Sequence, residues 1–224
     1  TRALSSAASD VYKRQAYVEI TSLTKVLKKK TVLDHITISF DEGKIYGLYG
    51  RNGCGKTMLL RAIAGLIYPT EGKIVVGGKE LHKEISFPES VGVIIETTSL
   101  LPQFDAYTNL KHLGEIKKIA SDEDIRDAIR RTGLEGEKKK VRAYSLGMRQ
   151  KLAIAQAIFE KPKLLLLDEP TNGLDEESVK QIREVLLEEK RRGAVIILAS
   201  HNKEDMGYLC DEMIHMADGR ITEG

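Results

Sequence analysis

A chain of 224 residues with 42% hydrophobic side chains is enough for one compact domain, or a domain with subdomains. Lysine and arginine (35) nearly balance aspartate and glutamate (33), and a formal charge of +2 gives no reason to expect nucleic acid as a partner. No apolar run approaches the roughly 20 residues of a membrane span, so action at a membrane needs a partner, and two cysteines, Cys54 and Cys210, suit a reducing cytosol rather than a disulfide framework.

Residues 1–15 are rich in Ser and Ala, without periodicity and without the apolar segment of a secretory signal. They look like a non-native or flexible leader, and the folded domain is expected over 16–224. Strands are expected at 17–21 and 32–40, the second with Val32, Ile36, Ile38 and Phe40 on one face, and Lys28, Lys29 and Lys30 form a basic turn between them. Residues 44–49 read as a buried strand and 58–67 as a helix. Pro69-Thr70-Glu71-Gly72 is a turn, and a short strand at 73–76 stops at Gly77-Gly78. Together these predict a small antiparallel sheet beside the core. Residues 91–95 are a strand ending at Glu96. From 107 to 131 Leu110, Leu113, Ile116, Ile119, Ile125 and Ile129 recur at helical intervals, and a charged loop follows at 135–140. The section from about 100 to 145 is therefore a helical subdomain. Ser145 is suited to cap a helix over 148–159. The unbroken apolar run 164–167 reads as a strand buried on both faces. A charged helix over 176–192 closes at Gly193, and a further apolar strand, 194–199, leads to Ser200-His201. A last helix carries Met206, Leu209 and Cys210, before a strand at 213–216.

The run Gly50-Arg51-Asn52-Gly53-Cys54-Gly55-Lys56-Thr57 fits the phosphate-loop pattern G-x-x-x-x-G-K-[ST] at every fixed position. Its glycines let the backbone curl and turn N–H groups toward phosphate oxygens. The helix that follows, entered at Met58, points the positive end of its dipole at the same anion. Lys56 is placed for the β- and γ-phosphates and the Thr57 hydroxyl for Mg²⁺. A glycine-rich helix cap is the bland alternative, but strand, loop, helix is the context that the motif requires.

Three more polar groups follow apolar strands: Glu96, Asp168-Glu169 and His201. Each has a modest explanation as a strand end, a loop start or a helix cap. If the four strands are parallel, however, all of them gather at the carboxyl rim, where open α/β sheets bind ligands. That rim suits phosphoryl transfer to water. Asp168 would hold the metal directly or through water, Glu169 would act as general base or orient the water, and His201 would donate toward the γ-phosphate or help hold the attacking water.

These residues resemble those of the ATP-binding cassette (ABC) ATPases, over nearly the whole chain from residue 17. GRNGCGKT stands as Walker A, LLLLDEP as Walker B, Asn172-Gly173-Leu174-Asp175 as the D-loop and His201 as the switch histidine. Tyr144-Ser145-Leu146-Gly147-Met148-Arg149-Gln150 takes the place of the signature, usually LSGGQ. The resemblance implies an α/β fold with a mainly parallel P-loop core, an antiparallel β subdomain and a helical subdomain. It implies ATP and Mg²⁺ as cofactors, with Thr57, Asp168 and Glu96 at the metal. It also implies a head-to-tail dimer, a homodimer in the simplest case, in which Ser145, Gly147 and Asp175 close over the partner's nucleotide. A separately encoded membrane permease would be the second partner, contacted through 97–109, with the cassette on the inner face of the cell membrane. Glu96 replaces the usual glutamine, and Leu146 and Met148 alter the signature. These departures are similar to the bacitracin-resistance-type exporters, which points to antimicrobial peptides as cargo. No aromatic stands near Val26-Leu27 to stack on adenine. A non-transport ABC ATPase and an ATP-sensing module are the competing readings.

Overall fold

The computed structural model describes residues 16–96, 98–201 and 203–222. The expected leader, Thr97 in the expected permease contact, and the last two residues lie outside the described residues. The core is a six-stranded sheet in the order β10-β9-β3-β8-β7-β6. Its strands are β3 (Ile45–Tyr49), β6 (Val91–Ile94), β7 (Leu164–Asp168), β8 (Val195–Ala199), β9 (Glu212–Ala217) and β10 (Arg220–Thr222). All neighbours are parallel except β10, which turns back on β9. A four-stranded antiparallel sheet lies beside it in the order β2-β1-β4-β5, from β1 (Val18–Leu27), β2 (Lys30–Phe40), β4 (Glu71–Val76) and β5 (Lys79–Glu80).

Strand side chains alternate between faces, so the unbroken apolar runs are divided between two cores. Leu164, Leu166, Val195 and Ile197 join α1 (Lys56–Ile63) and the inner face of the antiparallel sheet. Leu165, Leu167, Ile196 and Leu198 join the helices of the other face. Those helices are α2 (Ala106–Lys117), α3 (Asp122–Arg131), α4 (Leu146–Ile158), α5 (Glu176–Arg191) and α6 (Lys203–Leu209). Each fully buried leucine contributes about 1.5–3 kcal/mol, more than a ladder hydrogen bond. This is why β7 and β8 form the least exposed layer. No described helix is long and apolar enough to cross a membrane, and both cysteines are free.

Several boundaries differ from expectation. The first strand runs on to Leu27 and makes a hairpin whose two turn residues, Lys28 and Lys29, have φ of 46° and 65°. In β2 a bulge beside His35 (φ 51°) reverses the alternation, so Leu33 joins Ile36 and Phe40 inside while Val32 is only half-buried. The helical pattern at 107–131, punctuated at Ser121-Asp122, forms two helices. Lys118 closes α2 in a left-handed conformation, and Ser121 opens α3 with a capping box to Asp124. Ile116 and Ile119 therefore lie at the end of one helix and in the connection, 77% and 62% exposed, rather than in the core. The first helix stops at Ile63 because Leu66 N bonds Arg61 O and Gly65 N bonds Ala62 O, the reciprocal pair of a glycine-closed helix end. The strand β10 had no expectation.

One packing contact makes a stability prediction. A Cβ on Gly92 of β6 would sit 1.9 Å from the Ala157 carbonyl oxygen of α4. Gly92→Ala should therefore destabilise the fold by about 3 kcal/mol, at the severe end for overpacking. Gly207→Ala, in open space on α6, should cost nothing and can gain up to about 1 kcal/mol of helix propensity. Urea midpoints of the two variants test the contrast.

Candidate functional site

The loop between β3 and α1 has three residues with left-handed or extended positive angles: Gly50 (φ 147°), Gly53 (78°) and Gly55 (114°). At Gly50 the need is steric as well. A Cβ there would meet the Met216 carbonyl oxygen at 2.1 Å, so the loop begins flush against β9. The turn between β9 and β10 completes this floor, with Gly219 N donating to Cys54 O (2.9 Å) and accepting Asp34 N at its carbonyl (2.8 Å). Arg51, Asn52 and Gly53 form the exposed crest, and Arg51 O accepts from Cys54 N. Cys54 is buried under it. Lys56, 8% exposed, folds back into the loop and donates to Gly50 O (2.8 Å) and Arg51 O (3.2 Å). A buried ammonium held by neutral carbonyls is a positive charge whose natural complement is an anion. Met58 is half-buried, with Sδ beside Arg61.

From the start of α1, Thr57 Oγ1 donates to Asp168 Oδ2, at the end of β7, at 2.6 Å. Burial holds the Asp168 carboxyl above its ordinary range, and the Thr57 hydroxyl pulls it back. The nearby charge of Glu169 raises it further. A hydroxyl and a carboxylate side by side are hard oxygen donors of the kind Mg²⁺ takes alongside phosphate and water. No cluster of three or more His, Cys, Asp or Glu able to hold a metal occurs among the described residues. Glu96 (φ 58°) is turned to Arg61, forming an ion pair of 2.6 Å, yet it remains near enough to Asp168 to add to its upward push. Arg61 thus neutralises the extra carboxylate.

Glu169 sits one residue beyond Asp168 in a left-handed conformation (φ 50°), its N–H bonded to Ala199 O at 2.8 Å. Its carboxylate is held from the end of β8. The His201 backbone N–H (3.1 Å) and imidazole Nδ1 (2.8 Å) meet Oε1, and the Ser200 hydroxyl meets Oε2 (3.2 Å). The rim is therefore real: the ends of β3, β6, β7 and β8 bring Lys56, Thr57, Glu96, Asp168, Glu169 and His201 together. His201, expected to point toward phosphate, here holds Glu169.

Ser145, Leu146 and Gly147, at the start of the signature segment, stand apart from this cluster, whereas Gln150 at its end reaches the backbone of Glu169 and Pro170. Ser145 caps α4, accepting from Met148 N at 3.2 Å. Leu146 is 71% exposed, and Gly147 lies against Gly173 O. Asp175 caps α5 through Ser178 N (2.8 Å). No hydrogen bond among the described residues joins Ser145 or Gly147 to the loop at Lys56. Leu27, at the hairpin end, is 40% exposed and offers apolar surface without a ring. Ser200, Gln150 and Arg61 escaped sequence reasoning. Ser200 carried a faint signal, a hydroxyl closing a wholly apolar strand.

The family model described as "ABC transporter" matches residues 33–172. An uncharacterized ABC transporter ATP-binding protein of Bacillus subtilis (strain 168), YybJ, is 60% identical over 205 residues, covering 91% of this chain and 94% of that protein. The bacitracin transport ATP-binding protein BcrA of Enterococcus faecalis is 37% identical over 209 residues, covering 92% and 68%. Among solved structures, an ATP-binding subunit of an ABC transporter superposes with a TM-score of 0.84 at 27% identity, covering 92% of this chain and 88% of that one.

Proposed function

Because the chain belongs to the ABC transporter family, as its ATP-binding, ATPase subunit, we propose that it binds Mg²⁺-ATP, pairs with a second copy and drives a separate membrane permease. The observation that carries this is Lys56, a buried ammonium inside the glycine loop, with Thr57 and Asp168 beside it. Lys56 and the loop hold the β- and γ-phosphates, with Gly50 to Met58 around them. Thr57 and Asp168 hold Mg²⁺, which neutralises phosphate charge as the bond breaks. Arg61 offsets the negative charge that Glu96 would add to the site, and Glu96 would help hold Mg²⁺ beside Thr57 and Asp168. Glu169 takes a proton from the attacking water or orients it. His201, whose Nδ1 now meets Glu169 at 2.8 Å, would be the residue to turn toward the γ-phosphate or the attacking water once nucleotide is bound.

Ser145 and Gly147 lie at the start of a helix with no acidic side chain in its first turn, an end suited to the phosphate of a second chain's nucleotide. Asp175 would join that interface through the loop it terminates. A cleft of about 440 Å³ lined by Glu96, Thr98, Leu100, Pro102, Val141 and Arg142 suits a docking segment of the permease. The chain would then work at the inner face of the membrane without entering it. The name of BcrA supports antimicrobial peptides as the cargo class. The test is mass in solution. The slow-hydrolysis variant Glu169→Gln should double its mass by light scattering when Mg²⁺-ATP is added, and an unchanged mass would count against pairing.

A further inference from the structure

Glu169 occupies an unfavourable backbone position. Its φ of 50° places a residue with a Cβ in the left-handed region, and the following Pro170 adds its own restriction. Such a conformation persists only where the surroundings over-determine it, at a cost of order 1–3 kcal/mol. Three contacts do so here. The Glu169 N–H bonds Ala199 O at 2.8 Å. The Glu169 carbonyl accepts Asn172 N at 3.2 Å. The third comes from another element: Gln150 Nε2, on α4, donates to Pro170 O at 2.9 Å and lies 3.4 Å from Glu169 O.

Gln150 is one turn into α4 from its exposed start. That start also touches the same loop further on. Leu146 packs where a Cβ on Gly173 would be, 2.8 Å from its Cδ2, and a Cβ on Gly147 would lie 3.2 Å from Gly173 O. The segment 169–173 is thus fastened along the first turns of α4, and Gln150 is the only one of these fastenings made by a side-chain donor. A shift of α4 along its axis moves the carbonyl anchor of Glu169 with it.

We infer that Gln150 is a positioning residue for hydrolysis. It ties the helix whose N-terminus faces the second copy to the backbone that presents this chain's own Glu169. The inference rests on the reading of Glu169 given above. It predicts that engagement of α4 by the partner's nucleotide tightens the Glu169 carboxylate of the same chain, so that the two sites fire together.

Gln150→Leu removes both donor contacts at nearly equal volume. With the full chain, kcat should fall about tenfold, the value of one to two lost hydrogen bonds. The affinity for a fluorescent ATP analogue should stay within about twofold, since the loop at Lys56 is untouched. Thermal melting should confirm a folded variant. The double variant Gln150→Leu/Glu169→Gln should be no slower than Glu169→Gln alone, because both changes remove the same function. Wild-type kcat in Gln150→Leu overturns the inference, as does a parallel loss of nucleotide affinity, which would mark a scaffold role. A double variant slower than Glu169→Gln by the full factor of Gln150→Leu also overturns it. If Glu169→Gln itself keeps wild-type turnover, the reading of Glu169 fails first. Normal loss in Glu169→Gln with intact turnover in Gln150→Leu rejects Gln150 alone.

Discussion

Lys56→Ala is expected to lose nucleotide binding by about 10- to 100-fold, the value of one or two charge-assisted hydrogen bonds to phosphate. The argument starts from burial. The ammonium is 8% exposed and bonded to the carbonyls of Gly50 and Arg51. Those carbonyls satisfy its N–H groups but do not balance its charge. A triphosphate does, and in a site of low dielectric that pairing is worth far more than in water. Alanine leaves the loop glycines and the α1 dipole in place, so some affinity for phosphate survives. Equilibrium titration with a fluorescent ATP analogue checks it, with far-ultraviolet circular dichroism to show that the variant is folded. Affinity equal to the wild type would remove the central feature of the site.

Glu169→Gln is expected to lower steady-state phosphate release by about 100-fold or more, within the range that general-base removal costs. Binding should be spared. Glutamine keeps the shape: its carbonyl oxygen can still accept from His201 N and from the imidazole, and its amide N–H can donate to the Ser200 hydroxyl oxygen, which now meets the other carboxylate oxygen. What it loses is the ability to take a proton. Removing the charge also relieves Asp168, whose carboxyl the Glu169 charge pushes upward. The variant should therefore hold Mg²⁺-ATP as well as the wild type, or better. Phosphate release at saturating ATP, set beside nucleotide affinity, separates the two effects. Undiminished release would show that Glu169 does not act on the water.

Much of this site was legible because its determinants are local. Gly50 to Thr57 is a contiguous motif between a buried strand and a helix. Leu164–Asp168 and Val195–Ala199 are uninterrupted apolar strands, so the polar residues that end them had to lie at a rim. The misread parts depend on tertiary choices. The bulge at His35 moves Leu33 inward, and no period of two anticipates it. Ile116 and Ile119 kept a helical spacing across a break that Lys118 and Ser121 make. Gln150 and Ser200 act on Glu169 from 19 and 31 residues away. Their identity as ordinary polar side chains says nothing until the chain is folded. Glu96 was legible as an extra carboxylate, but its partner Arg61, on the far end of α1, was not.

The position of β3 between β8 and β9 has a consequence for biosynthesis. The strand that launches the phosphate loop is translated early, yet both of its neighbours emerge from the ribosome more than a hundred residues later. The floor under Gly50 and Cys54 is supplied by Met216 and Gly219. A nascent polypeptide halted before those residues therefore carries the full Walker motif without the surface that shapes it. Competence to hold nucleotide therefore waits until Met216 and Gly219 have been made, and a copy that stops short of them has little means of competing for ATP.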